Sequence, residues 1–149
     1  MAKLPTNPLI SEILQKAHNA KTKEEKASIL RENESPALKK LLIWNFDESI
    51  KTALPEGEVP YAPNDAPAGT EHTRLVHEHR MFHNFVVGGN NDLSQSRKEM
   101  MFLQMLEGLH ESEAEVLCLV KDKKLGKKYR ITQNVVAEAF PTIEWGNRT

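Results

Sequence analysis

Residues 121–130 read "KDKKLGKKYR": Lys121, Lys123, Lys124, Lys127, Lys128 and Arg130 surround Gly126, with Asp122 as the one acid. These ten residues carry +5 in a chain whose total is −1. A glycine-centred loop of this kind suits an anion. Glycine tolerates positive φ and lets a backbone approach a ligand closely. Amides at the start of the next helix, near Thr132, would face a phosphate with the helix dipole behind them. Tyr129, between Lys128 and Arg130, belongs to the same candidate surface. Phosphate contacts supply affinity and salt dependence without base specificity. The plain alternative is a solvated loop that keeps the protein dispersed.

"GGNN", residues 88–91, is a second glycine-rich turn ahead of a predicted helix. Gly88, Gly89, Asn90 and Asn91 could hold a backbone phosphate in the same way, or make an ordinary helix–helix turn. Two such turns in one small helical chain are more suggestive than either alone.

Other reactive residues point to less. His72, His77, His79 and His83 lie in "EHTRLVHEHRMFH", with His79 and His83 one helical turn apart. A metal centre needs three or four converging ligands, and the H-E-x-x-H spacing is absent. The stretch reads as the polar, titratable face of a helix, so no metal or cofactor is expected. Cys118 lies between Leu117 and Leu119 and reads as a structural thiol. Met100, Met101, Met105 and Trp44 read as core, and Trp145 as an exposed residue near the end. Glu107, Glu111, Glu113 and Glu115 read as a solvated face, or as partners that mask the lysines.

The elements that must position these groups are helical throughout. Leu9, Ile10, Ile13, Leu14 and Ala17 recur at helical spacing. Thr22 with Glu25 forms a capping-box pattern ahead of Ala27, Ile29 and Leu30. Ser35 caps the next helix, Pro36 is its first residue, and Leu38, Leu41, Leu42 and Phe46 make its stripe. A short helix is predicted over 47–52. Residues 54–69 hold four prolines and two glycines and predict an extended crossing loop, pinned by Val59 and Tyr61. Helix resumes over 70–86. Asp92 or Ser94 opens the next one, which carries Met100, Met101, Leu103, Met105, Leu106 and Leu109. Another starts near Ser112, with Ala114, Val116, Leu117, Leu119 and Val120. The last spans about 132–139 and stops at Pro141, leaving a short tail over 142–149.

The 149 residues suit one domain, and 39% hydrophobic content allows a core. One cysteine excludes an internal disulfide and fits a reducing compartment. No stretch approaches the roughly 18 apolar residues of a membrane helix, and the start does not read as a secretory signal. The near-neutral total argues against indiscriminate coating of nucleic acid, not against a local patch.

"ISEILQKAHNAKTKEEKASILRENESPALKKLL", "GGNNDL", "EVLCLVKDKKLGKKYRI" and "AEAFP" occur in an order and spacing that resemble the N-terminal DNA-binding domain of ATP-dependent DNA ligases, particularly bacteriophage ligases of the T4 type. The likeness runs over about 10–141, with no clear counterpart for 54–69. It implies an all-α single-domain bundle of about six or seven helices. It also implies that the loop around Gly126 lies against a DNA backbone, duplex and possibly nicked. Ligase chemistry needs the lysine nucleophile of a K-x-D-G motif, and none occurs here. The resemblance is therefore to a DNA-binding domain without its enzyme. It implies a non-enzymatic accessory protein of phage replication, repair or transcription, in the cytoplasm of an infected cell. No small-molecule substrate and no membrane are expected. The alternative is a protein-interaction module that keeps the fold without binding DNA.

Overall fold

Local signals decide where most helices begin. The Thr22 hydroxyl accepts the Glu25 amide at 3.1 Å, and the Ser35 hydroxyl accepts the Leu38 amide at 3.1 Å. Ser94, not Asp92, caps the helix that follows the Gly-Gly turn, accepting from the Arg97 amide. The computed structural model describes residues 8–57, 59, 73–143 and 145–146. Those residues form α1 (Ile10–Asn19), α2 (Lys23–Glu32), α3 (Pro36–Phe46), α4 (Leu75–Glu78), a 3-10 helix (His79–Phe85), α5 (Gln95–Gly108), α6 (Glu111–Lys121), α7 (Leu125–Lys128) and α8 (Gln133–Ala139). No β-strand occurs among them; a lone antiparallel bridge joins Thr52 to Val86. The protein is all-α, as expected.

α6 runs through the middle of the bundle and packs on α1, α3 and α5. Its Val116, Leu117 and Val120 are fully buried, each contributing about 1.5–3 kcal/mol on removal from water. α2 packs on α1 and α8 and closes two helix ends with its own cations. Lys26 donates to the Ala17 and His18 carbonyls at the end of α1. Arg31 donates to the Glu138 and Ala139 carbonyls at the end of α8. Cations suit these positions because the last carbonyls of a helix are unpaired and partly negative.

Two segments and several single residues differ from the sequence expectation. The predicted helix over 47–52 is instead a turn built on buried Asp47, whose carboxylate accepts from the Ser49 amide and hydroxyl and from the Gly146 amide. Of the predicted helix over 70–86, the described residues form one α-turn, Leu75–Glu78, followed by a 3-10 helix. Its tighter winding stacks residues three apart on one face. Phe82 and Phe85 both fall on that face, against Trp44, and Phe85 meets Phe102 edge-on at 5.1 Å. Phe102 is core, while Met100 is 51% exposed. Trp145, expected to be exposed, packs against the core, as does Val59. Tyr61, His72 and most of the crossing loop lie outside the described residues.

Glu113 was read as solvated; it is completely buried. One carboxylate oxygen accepts the Ile10 amide at 2.9 Å and the other the Leu75 amide at 3.0 Å. One side chain thus closes the N-termini of α1 and α4. Beside it, the Ser11 and Ser112 hydroxyls bond at 2.8 Å.

Replacing Glu113 with alanine strands two buried donors, each costing about 1–3 kcal/mol. Glu113→Ala is expected to lower unfolding free energy by about 2–5 kcal/mol in urea titration, and Glu113→Gln by less. A loss below about 0.5 kcal/mol for alanine would remove Glu113 from this role.

Candidate nucleic-acid interface

The basic segment alternates between anchors and exposed cations. Leu125, Tyr129 and Ile131 are buried. The Leu125 amide donates to buried Asn45 at 3.1 Å, which fixes α7 against the end of α3. Between these anchors, Lys127, Lys128 and Arg130 are exposed and Lys124 is half-exposed.

Lys121 does not belong to the exposed set. It is 2% exposed, and its ammonium donates to the Pro55 carbonyl (2.7 Å), the Gly57 carbonyl (3.0 Å) and the Asp122 carboxylate (2.6 Å). All three of its protons are used, two in holding the start of the crossing loop and one on Asp122. Lys123 is also committed: it donates to the Asp47 carbonyl at 2.6 Å, and burial above all holds its pKa below the ordinary lysine value. Lys124 pairs with Glu56 at 3.5 Å. Lys128 pairs with Glu115 and lies over the Tyr129 ring, 5.6 Å from its centre. The acidic run therefore does three things: Glu113 caps helices, Glu115 covers one lysine, and Glu107 and Glu111 stay exposed.

Lys127 and Arg130 have no acidic partner among the described residues. The Arg130 amide donates to His18 Nδ1 at 2.9 Å, tying the segment to the end of α1. Lys26 is close enough that, after burial, the Arg130 charge further lowers its pKa. Tyr129 turns inward, edge-on to His18 at 6.3 Å, and burial raises its phenol pKa. It is an anchor and not a contact surface. Thr132 caps α8, but its hydroxyl already takes the Val135 amide.

The glycines also differ from expectation. Gly126 sits in α7 without a positive φ; the left-handed residue of this segment is Lys123, at φ 58°. Gly88 has φ 84°, and a methyl group at Gly89 would overlap the His83 carbonyl. The pair thus ends the 3-10 helix. Asn90 bonds to Asn84 at 2.9 Å and accepts the Asp92 amide at 3.0 Å. Four residues lie between Gly89 and the Ser94 cap, so the Gly-Gly turn is not at the N-terminus of α5. Asn91 is exposed, and among the described residues no hydrogen bond or ion pair links the Gly-Gly turn to the basic segment.

Spacing held a signal for both buried charges. Glu113, Val116, Leu117, Val120 and Lys121 share one face of α6, opposite Glu111 and Glu115. No three acidic, histidine or cysteine side chains converge as a metal site among the described residues. No described helix is long and apolar enough to cross a membrane.

Residues 13–127, most of the chain, match a family of unknown function, DUF6433. No curated protein matches the chain.

Cys118 is half-buried, and desolvation pushes its thiol up to about 11. Its reaction with a disulfide reagent at pH 7 is expected to run at least about tenfold slower than that of free cysteine, accelerating toward pH 11. A second test separates the glycines. Gly126→Ala is expected to be neutral or stabilising by up to about 1 kcal/mol. Gly89→Ala should destabilise by about 1–3 kcal/mol in urea titration, since the clash is with backbone.

Proposed function

The chain belongs to DUF6433, and we propose that it binds the phosphate backbone of duplex DNA without a chemical step of its own. The observation that carries this reading is the pair Lys127 and Arg130: exposed, three residues apart and free of acidic partners among the described residues. Leu125, Tyr129 and Ile131 hold the backbone beneath them, so the charges are presented and not tethered to a mobile tail. Lys124 and Lys128 join them on contact. Their exposed ion pairs with Glu56 and Glu115 are each worth about 0–1 kcal/mol and exchange readily for phosphate. The resemblance to ligase DNA-binding domains supports the same surface. On this reading the protein is an accessory of phage replication, repair or transcription, in the cytoplasm of an infected cell. Lys121 and Lys123 support the loop from beneath.

A second reading is a protein-interaction module. It is favoured by an apolar groove of about 350 Å³ between the 54–59 segment and α5, where Leu54, Val59, Phe102 and Leu103 lie beside exposed Met100.

The test is a titration of nicked, intact and single-stranded DNA at two salt concentrations, with Lys127→Glu/Arg130→Glu alongside. Wild type is expected to bind duplex with a negative salt slope, and the variant to lose affinity and about two units of that slope. Tighter binding to the nicked duplex would place it beside ligation. No binding at low salt would end the DNA reading and favour the second.

A further inference from the structure

The histidine-bearing stretch has no part in the basic surface, yet the fold gives it a definite setting. The 3-10 helix lies across α3, and between them is a pocket of about 200 Å³. Its floor is apolar: Ile43, Trp44, Ile50, Phe82 and Val86. Trp44 and Phe82 are tilted at 52° with ring centres 6.1 Å apart. The Trp44 indole N–H is already used by Thr52 at 2.9 Å, and both rings are buried as the base of the pocket, so the accessible apolar surface is that of Ile43, Ile50 and Val86. Lys40, His79 and His83 complete the lining, and no acidic side chain does.

Polar groups and apolar floor together specify a ligand. Lys40 has no carboxylate partner among the described residues. Its ammonium donates instead to His79 Nδ1 at 3.0 Å and, more weakly, to the His79 carbonyl at 3.4 Å. That contact needs a neutral His79 ring, with its proton on Nε2. The His83 Nδ1–H donates to the Arg80 carbonyl at 2.8 Å, which leaves His83 Nε2 unassigned. An apolar cavity of about 150 Å³ accepts benzene, so this one has room for a single ring with a short substituent.

We propose that this pocket binds a small anion carried on a ring, an aryl carboxylate or aryl phosphate, with the ring on Ile43, Ile50 and Val86 above the Trp44–Phe82 pair and the head group on Lys40 and His79. The site is separate from the basic segment and does not depend on the DNA reading. The anion replaces a cation-to-imidazole contact with a charge-assisted pair, which is shorter and stronger. The groups facing His79 are Lys40 from α3 and Arg80 and His83 from its own helix. Burial first, then the Lys40 and Arg80 charges, hold the His79 pKa below the usual imidazole value. A bound anion opposes those charges and raises it. Binding therefore takes up a proton, and affinity grows as pH falls through the His79 titration.

The experiment is a titration of the full chain followed by the histidine ring resonances in NMR, with phenyl phosphate and phenylacetate as probes. Inorganic phosphate supplies charge without a ring, and benzyl alcohol a ring without charge. At least one aryl anion is expected to shift His79 and Phe82 saturably, with a dissociation constant of about 1 mM or tighter. It should also raise the His79 pKa. The tighter of the two assigns the head group. Each control should bind at least about tenfold more weakly, and exposed Lys40→Gln should weaken the aryl anion about fivefold or more. Arg80→Gln, also exposed, is a second variant expected to raise the free His79 pKa. The proposal is overturned if neither aryl anion saturates below about 20 mM, if either control binds equally well, or if a folded Lys40→Gln binds unchanged.

Discussion

A carboxylate with no access to water joins three helices at Glu113. Helix N-termini leave amide donors unpaired and carry partial positive charge, so each requires an acceptor when it is buried. Glu113 supplies one oxygen to α1 and the other to α4 while belonging to α6. The three helices cannot slide independently, because a shift in any of them breaks a buried charge-assisted bond. Once that junction is set, α6 is fixed along its length, and so is the place where it delivers the basic segment.

Lys121 does for the other end of α6 what Glu113 does for the first. Its ammonium and the Thr52 hydroxyl, which donates to the Lys121 carbonyl at 2.7 Å, bind Thr52 and the start of the crossing loop to the helix end. The basic segment then leaves α6 from a rigid base. Asn45 and His18 each accept an amide from it, at Leu125 and Arg130, so α3 and α1 hold it from two sides. The surface chemistry of Lys127 and Arg130 is thus the product of buried polar contacts made by residues of other elements.

What was legible in the sequence was local. Thr22, Ser35 and Thr132 cap helices as expected, and Pro36 opens one, because a cap and its amide lie within three residues. The stripe of α6 was legible for its apolar members. Spacing put its two charged members on the same face, but it did not establish their burial, because a Glu or Lys is buried only where distant partners satisfy it, and Ile10, Leu75 and residues 55–57 are far away in sequence. The same reason governs the basic segment. Composition located the cations, but which were paired depended on Glu56 and Asp47, long-range neighbours invisible to periodicity. Gly126 illustrates the converse: a glycine inside a charge run suggested a special backbone, while Gly89, in the plainer turn, is the one that backbone contact requires. The 3-10 helix escaped because an α-helical period and a three-residue period differ little over seven residues.

The clasp formed by α2 has a bearing on how the chain is made. Arg31 leaves the ribosome 107 residues ahead of Glu138 and 108 ahead of Ala139, whose carbonyls it closes. Ile10 likewise waits for Glu113. The first two helices therefore emerge with polar ends that have no partners and an apolar face that has no cover, and local contacts alone do not complete them. Folding of α1 and α2 is in large part deferred until α6 and α8 have been made, which makes the nascent first helices, and not the folded bundle, the species most in need of protection from aggregation.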